Sequence, residues 1–530
     1  MKINRRDFIV TTGAGAIAAL TGCGKIAKAS MPGGIMGASA AAGHRLRDGK
    51  FPAPVETVNT SVVIVGAGMA GLAAARRLDR RGMRDLLLLD LEGAAGGNAA
   101  SGRNSVSAYP WGAHYVPLPN DESTEVLALF EELGIIRGHD ATGAPIYDEE
   151  ALCSDPMERL FDCGVWQEGF LPQAGISDAD RRDYSAFFAR MEEFRSMHGA
   201  DGHPAFTIPL DLSSRDPQLL AFDLLTMADW ITQQGWHSVP LRWYVDYCCR
   251  DDYGAGMEHI SAWAGIHYFA SRRGRAANAD RDSVVTWPEG NGWLAQRLAE
   301  PLKDRTRTGC IAWNVELDGS GAVVDFFDLA KGRSIRVQAK GVVCCAPRFV
   351  AQRIISGTQA VAGTEYSPWM VANVTLDALP GGHGVPLAWD NVARSSESLG
   401  YVVATHQGVS LEPLETVLTH YWPLDRQSPR EAREIAISKT HAEWCAQVIE
   451  DLERVHPGIS EHVRNIDVWL WGHGMIRPVL GFIWGKSRQQ MLQPGNRIVF
   501  AHSDMSGISI FEEAYTRGVQ AAEDLLRQIN

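Results

Sequence analysis

Gly66, Gly68 and Gly71 stand in a G-x-G-x-x-G spacing, and a carboxylate, Asp90, follows about twenty residues later. The context is what this pattern needs. The apolar, β-branched run Ser61–Val65 precedes the glycines, and the helix-forming stretch Leu72–Leu78 follows them. Gly66 allows a tight turn, Gly68 lets a pyrophosphate approach the backbone, and Gly71 lets a helix lie close on a strand. The first helical amides, around Met69 and Ala70, then face the anion. Asp90 ends a second apolar run, Leu86–Leu89, where its carboxylate would accept ribose hydroxyls and disfavour a 2′-phosphate.

The segment after Asp90, Leu91-Glu92-Gly93-Ala94-Ala95-Gly96-Gly97, resembles the E-A-x-x-x-x-G-G segment of the flavin amine oxidase and phytoene desaturase superfamily. The resemblance implies FAD, with Gly96 and Gly97 bringing the chain close to its pyrophosphate. The superfamily usually has arginine next; here Asn98 stands there, and Arg103 is the candidate replacement. Near the C-terminus, Arg497–Asp504 and the amphipathic stretch Glu512–Ala522 resemble the second FAD motif. By that resemblance Asp504 holds the ribityl chain, and the backbone from Phe511 to Ala514 points a helix N-terminus at the flavin. Trp287–Ala295, Ala312–Glu316 and Gly341–Pro347 resemble the intervening glycine turn, the adenine strand with Val315 at the adenine, and the return strand. Gly112-Ala113-His114-Tyr115 resembles the segment beside the flavin, and Trp469–Met475 lies where the superfamily places its substrate cage; the resemblance makes Tyr115, Trp471 and His473 the candidates for the reacting end. Trp369 and His406 are further candidates.

The elements needed to position these residues form an α/β protein. A Rossmann-like FAD domain is expected from discontinuous segments, 59–119, 281–349 and 481–530, with a mixed α+β substrate domain from 120–280 and 350–480. Within the inserts, Pro217–Gln234 has helical spacing, and Trp369–Leu376, Tyr401–Thr405 and Val417–Tyr421 read as strands. Superfamily oxidases commonly hold a lysine near flavin N5 on the strand that here runs Trp369–Leu376. That strand has none, and Asn373 lies near the place, so O₂ and a quinone-like compound both stay open as electron acceptor. A protonated His473 would supply the missing charge. The leading expectation is hydride removal from a small-molecule amine. The alternatives are desaturation of an apolar C–C substrate and a non-catalytic flavin-binding or electron-transfer subunit.

The composition bounds these readings. The chain has 530 residues, 45% hydrophobic and 21% charged, enough for two to four domains. A net charge of -13 without a basic run argues against nucleic acid and suits a cationic substrate. The cysteines lack C-x-x-C pairs and no H-E-x-x-H occurs, so no metal is expected and free core thiols are. Arg5-Arg6 before an apolar run resembles a twin-arginine export signal, and Leu20-Thr21-Gly22-Cys23 resembles a lipoprotein box. Residues 1–29 are therefore expected to be an address and 30–58 a linker. The mature protein is then periplasmic or in the cell envelope, touching membrane only through a lipid on Cys23. Cleavage after Ala29 is the competing outcome.

Overall fold

The runs at 62–65 and 86–89 are adjacent parallel strands, and their continuous apolarity has a structural cause: Val62, Val63, Ile64 and Leu88 are fully buried with both sheet faces covered. The computed structural model describes residues 31–529 apart from 359, 409–413 and 494. Arg5, Arg6 and Cys23, and with them the export reading, lie outside the described residues. In the first sheet the strand order is Thr306–Arg307, Leu86–Leu89, Glu56–Val65, Arg333–Cys344, Gly321–Asp328, Cys310–Asp318, with Ile498–Phe500 joining the far half of Arg333–Cys344. The helices Met69–Arg80 and Phe511–Ile529 lie together over one face, where Ala73, Leu78, Tyr515 and Leu525 form a continuous core.

A second, eight-stranded sheet runs Ile35–Gly37, Val463–Ile476, Tyr366–Leu376, Thr416–Pro423, Tyr401–Val403, Asp390–Ala393, Glu158–Asp162, Val165–Glu168. Two helices, Val239–Tyr253 and Ala262–Ala270, belong to the core on one face of it, together with Val371, Val402, Val417 and Tyr421. His441–Glu453 covers the other face, where Trp444 and Val448 meet Met370 and Val374. Among the described residues no helix is long and apolar enough to cross a membrane.

Three expectations are corrected. The 30–58 linker carries structure: Ile35–Gly37 pairs in parallel with Val463–Ile476, and Ala40–Asp48 is a helix. That helix buries none of its residues fully, so its sequence shows no apolar stripe by which to recognise it. The boundary at 120 is displaced, because Val126, Leu129, Phe130 and Tyr147 belong to the core of the first sheet. The helical stretch from Pro217 is broken into Pro217–Leu220, a 3₁₀ turn Ala221–Leu224, and Met227–Gln233, whose N-cap Thr226 starts a new helix. The six buried cysteines and the half-buried Cys153 are all unpaired, as is exposed Cys163.

Candidate functional site

A cavity of ≈ 1270 Å³ lies across the carboxyl ends of the parallel strands, touching Val65, Leu89, Asp90 and Ala346. Gly66, Gly68, Met69 and Ala70 form one wall, and Gly96 and Gly97 face them. Glycine is required at two of these positions for different reasons. A Cβ on Gly71 would collide with the Gly66 carbonyl oxygen, so only glycine lets the helix start this close to the strand. Gly97 has φ +58°, and a Cβ there would sit 3.0 Å from the Gly68 Cα, narrowing the slot between the two loops. The helix from Met69 begins at extended Gly68 with its first amides turned to the cavity.

Asp90 is already engaged by its own backbone. Its carboxylate accepts from Ala67 N at 2.6 Å and Glu92 N at 2.8 Å, which fixes the glycine turn. Burial pushes it up to about 6 while those two amides pull it down. Glu92 in turn accepts from Ser39 N (2.9 Å) and Ser39 Oγ (2.7 Å), so the segment expected as linker is tied across this end of the cavity. Neither Ser39 nor Glu92 was a sequence candidate. The only available signal was a serine before an Ala-rich run, an ordinary helix start.

Arg103 and Val315 do not line the cavity. Arg103 is exposed and pairs with Glu289 at 3.2 Å. Asn98 does line it, and its side-chain amide donates to the Gly474 carbonyl, joining the glycine loop to the second sheet. Val315 is fully buried and bridges Ile355. The strand presents Cys310, Ile311 and Ala312 to the cavity instead, and a bulge between Ala312 and Asn314 separates these from Val315.

At the other end Asp504 is 1% exposed. Its Oδ2 accepts from Arg348 N (2.8 Å) and Tyr366 Oη (2.6 Å). Burial raises its pKa, but His502, the Tyr366 hydroxyl and the Arg348 amide outweigh this and keep it below the ordinary range. His502 Nδ1 lies 3.0 Å from Oδ1 and 3.1 Å from the Asp504 amide nitrogen. Asp504 itself does not line the cavity; His502 and Ser503 beside it do. Ile510, Phe511 and Ala514, at the start of the C-terminal helix, complete this wall.

Trp369, Trp471 and His473 also line the cavity. Trp471 Nε1 donates to the Trp111 carbonyl at 2.6 Å. His473 stacks on Phe349 with ring centres 4.3 Å apart. Burial, then the charges of Arg433, Arg47 and His44, lower its pKa to about 4, so it is neutral at pH 7 and supplies no cation. Asn373 is not in the lining: its amide donates to Pro110 O at 3.1 Å and accepts from Thr419 Oγ1 at 2.7 Å, tying the strand to the segment before Gly112. Among the described residues no lysine lines the cavity. His406 lies elsewhere, with Nε2 2.8 Å from the Ser154 carbonyl.

Tyr115 does not line this cavity and packs in a neighbouring aromatic group. Ala113 faces the cavity, and the next two residues turn into an aromatic group. His114 lies 4.6 Å from Tyr421 and 5.5 Å from Trp389, and Tyr115 lies 5.9 Å from Trp389. Tyr421 Oη donates to the Gly112 carbonyl at 2.9 Å. Burial takes His114 down to about 4, so this wall is uncharged.

Residues 64–133 match the family model of the NAD(P)-binding Rossmann-like domain. Two curated relatives align over 297 residues each. The oxidoreductase PigB of Serratia sp. is 23% identical over 52% of this chain and 42% of its own length. An L-amino acid dehydrogenase of Synechocystis sp. is 24% identical over 55% of this chain and 57% of its own length. The chain thus spans about half the length of the curated relatives it matches. Among solved structures, a putrescine oxidase bound to putrescine superimposes with TM-score 0.63 at 15% identity, covering 89% of this chain and 100% of that one. Cyclohexylamine oxidase from Brevibacterium oxydans gives 0.64 at 15% identity over 89% and 99%. A fatty acid isomerase from P. acnes gives 0.60 at 14% identity over 87% and 97%. The chain therefore carries a Rossmann-like dinucleotide domain within the two-sheet fold shared by these amine oxidases and the fatty acid isomerase.

Proposed function

We propose that the chain is an FAD-dependent oxidoreductase that removes a hydride from an amine. The observation that carries the cofactor reading is one elongated cavity that runs from the Gly66–Ala70 and Gly96–Gly97 loops to Phe511 and Ala514 at the start of the C-terminal helix. The flavin would supply the hydride-accepting chemistry. The amides at Met69 and Ala70 and the Gly66–Gly71 and Gly96–Gly97 loops would hold the pyrophosphate. Asp90, already bonded to the turn, would position that loop for the adjacent ribose. Ile311 and Ala312, in place of Val315, would meet the adenine, and the helix start at Phe511–Ala514 would face the ring system. Tyr115, Trp471 and neutral His473 would orient substrate and exclude water. The names of the amine-acting relatives support the amine reading over desaturation of an apolar compound. The test is the absorbance of the purified protein and its anaerobic bleaching by a panel of amines; a protein that neither contains nor takes up flavin overturns the proposal.

The electron acceptor is proposed to be a quinone-like compound in preference to O₂. A cation beside the flavin would stabilise superoxide, yet no described lysine lines the cavity and His473 is neutral. Stopped-flow reoxidation faster in air than with a quinone overturns this. Export by the twin-arginine route with a lipid on Cys23 is proposed from the sequence alone, and unchanged membrane fractionation of Cys23→Ala overturns the anchor.

A further inference from the structure

The cofactor cavity holds more positive charge than its own carboxylates answer. Arg47, Arg353 and Arg433 all line it, and among the described residues none of them forms an ion pair. The acidic side chains of the same lining are already engaged. Asp90 accepts from the amides of Ala67 and Glu92, Glu92 accepts from Ser39, Glu434 pairs with Arg430 at 3.0 Å, and Glu365 lies 3.8 Å from Arg477. In a chain of net charge -13 the excess is local to this cavity. Burial, then the charge of Arg47, pulls the Arg433 pKa down, with Glu434 opposing, as expected of a cation that lacks an anion. Arg433 and Arg47 both act on His473 as well.

The excess stands beside the residue that departs from the superfamily pattern. Asn98 follows the glycine pair where the resemblance calls for arginine, and its side-chain amide is spent on the Gly474 carbonyl. Two residues back on the same strand, the Gly472 carbonyl accepts from Arg433 Nη1 at 3.4 Å, and the Tyr366 carbonyl accepts from that nitrogen at 3.3 Å. At about 3.3 Å per strand residue the two anchoring points on this strand are roughly 7 Å apart, so Arg433 enters the cavity next to the Gly96–Asn98 loop. Its Nε and Nη2 have no hydrogen-bond partner among the described residues. Arg47 comes from the other side, on the helix Ala40–Asp48, which begins where Ser39 meets Glu92 and packs on Arg348–Ile354. It makes no hydrogen bond to any described residue. Neither arginine belongs to the two FAD motifs. The glycine loops offer a diphosphate only the partial charges of their amides, whereas a guanidinium offers a full charge and a fork of donors matched to phosphate oxygens.

We propose that Arg433 and Arg47 together bind the FAD diphosphate, supplying from two unrelated elements the counter-charge that the superfamily takes from the arginine after its glycine pair. The proposal rests on the FAD reading above. The test titrates the flavin-free full chain with FAD, followed by flavin fluorescence, at about 0.1 M and about 1 M salt, between which the screening length falls from about 10 Å to about 3 Å. Arg433→Gln and Arg47→Gln are each expected to weaken FAD binding roughly 10- to 100-fold at the lower salt, the loss of one charged hydrogen bond, and to shrink the loss of affinity that salt causes in the wild type. Arg433→Lys and Arg47→Lys keep the charge and should keep the salt dependence while losing part of the affinity. Glutamine variants that bind FAD as tightly as the wild type overturn the proposal. So do variants that bind it more weakly with wild-type salt dependence, since Arg433 would then serve only to hold the Gly472 and Tyr366 carbonyls. Arg47 has no hydrogen bond to lose, so Arg47→Gln reads the charge even if Arg433→Gln does not fold. The two readings fail differently. A wild-type chain that takes up no flavin overturns the FAD reading and this proposal with it, whereas equal FAD binding by wild type and variants removes the arginines alone.

Discussion

Two regions that meet at the Gly112–Tyr115 segment are positioned by different means. At its glycine end the cavity is bounded by backbone: the turn at Gly66–Gly68, the Gly96–Gly97 loop and the start of the C-terminal helix. The aromatic group beside it is made of side chains from separated places, with Tyr115, Trp389 and Tyr421 each from a different part of the chain. A backbone site needs glycines at fixed spacing and tolerates few alternatives. A side-chain site needs only that certain residues converge, and it can be rebuilt from other positions. The first is therefore rigid and general, the second adjustable and specific.

This contrast can be broken most strongly at Gly71. Gly71→Val places a side chain against the Gly66 carbonyl, and overpacking of about 3 kcal/mol is expected to lower cofactor affinity by roughly 100-fold, read as flavin retained through gel filtration. Retention at the wild-type level would mean that the loop is not the pyrophosphate cradle. Asp504→Asn weakens the buried acceptor that fixes Arg348 N and Tyr366 Oη beside the cavity and is expected to cost about 1.5 to 2 kcal/mol of flavin binding, roughly 10- to 30-fold, by fluorescence titration.

The carboxylates near the aromatic group should make stability respond to pH. Burial pushes Asp251 up to about 7, with Asp252 raising it further and Arg272 opposing. Glu158 rises to about 7 likewise, with Asp251 and Asp282 raising it and Arg272 opposing. A carboxyl whose folded pKa lies above its ordinary value binds more protons when folded, so its contribution is full below about 4 and lost as pH passes 7. Melting temperature should accordingly fall from pH 5 to pH 8, and Asp251→Asn should flatten that slope. The smallest effect is expected at the latch between Ser39 and Glu92: Ser39→Ala removes one hydroxyl bond, worth about 0.5 to 1.5 kcal/mol, and should speed flavin release by a few-fold.

Legibility followed the same division. The loop at Gly66–Gly71 and the elements on either side of it stand in the sequence because sterics allow few residues there. The strands at 366–376 and 416–423 were legible from their β-branched and aromatic runs, which both faces bury. Arg103 and Val315 misled, each for a local reason. An arginine's charge says nothing of which way its loop points, and a bulge changes which strand residues face a cavity. The helix Ala40–Asp48 was missed because its position depends on Ser39 meeting Glu92, a contact 53 residues away in sequence.

The sequence by itself determined what depends on neighbours along the chain: two strand-glycine-helix units at opposite ends, an acid after each strand, and an acidic chain with unpaired cysteines. Only the tertiary structure decided which carboxylates act on one another. Asp251 and Asp390 are far apart in the chain, and only Asp390 stands next to an aromatic residue, Trp389. Their repulsion exists only once the helix Val239–Tyr253 is laid over the sheet that pairs Asp390 with Glu158. Electrostatic energy depends on distance in space, and no local pattern of residue types encodes that distance.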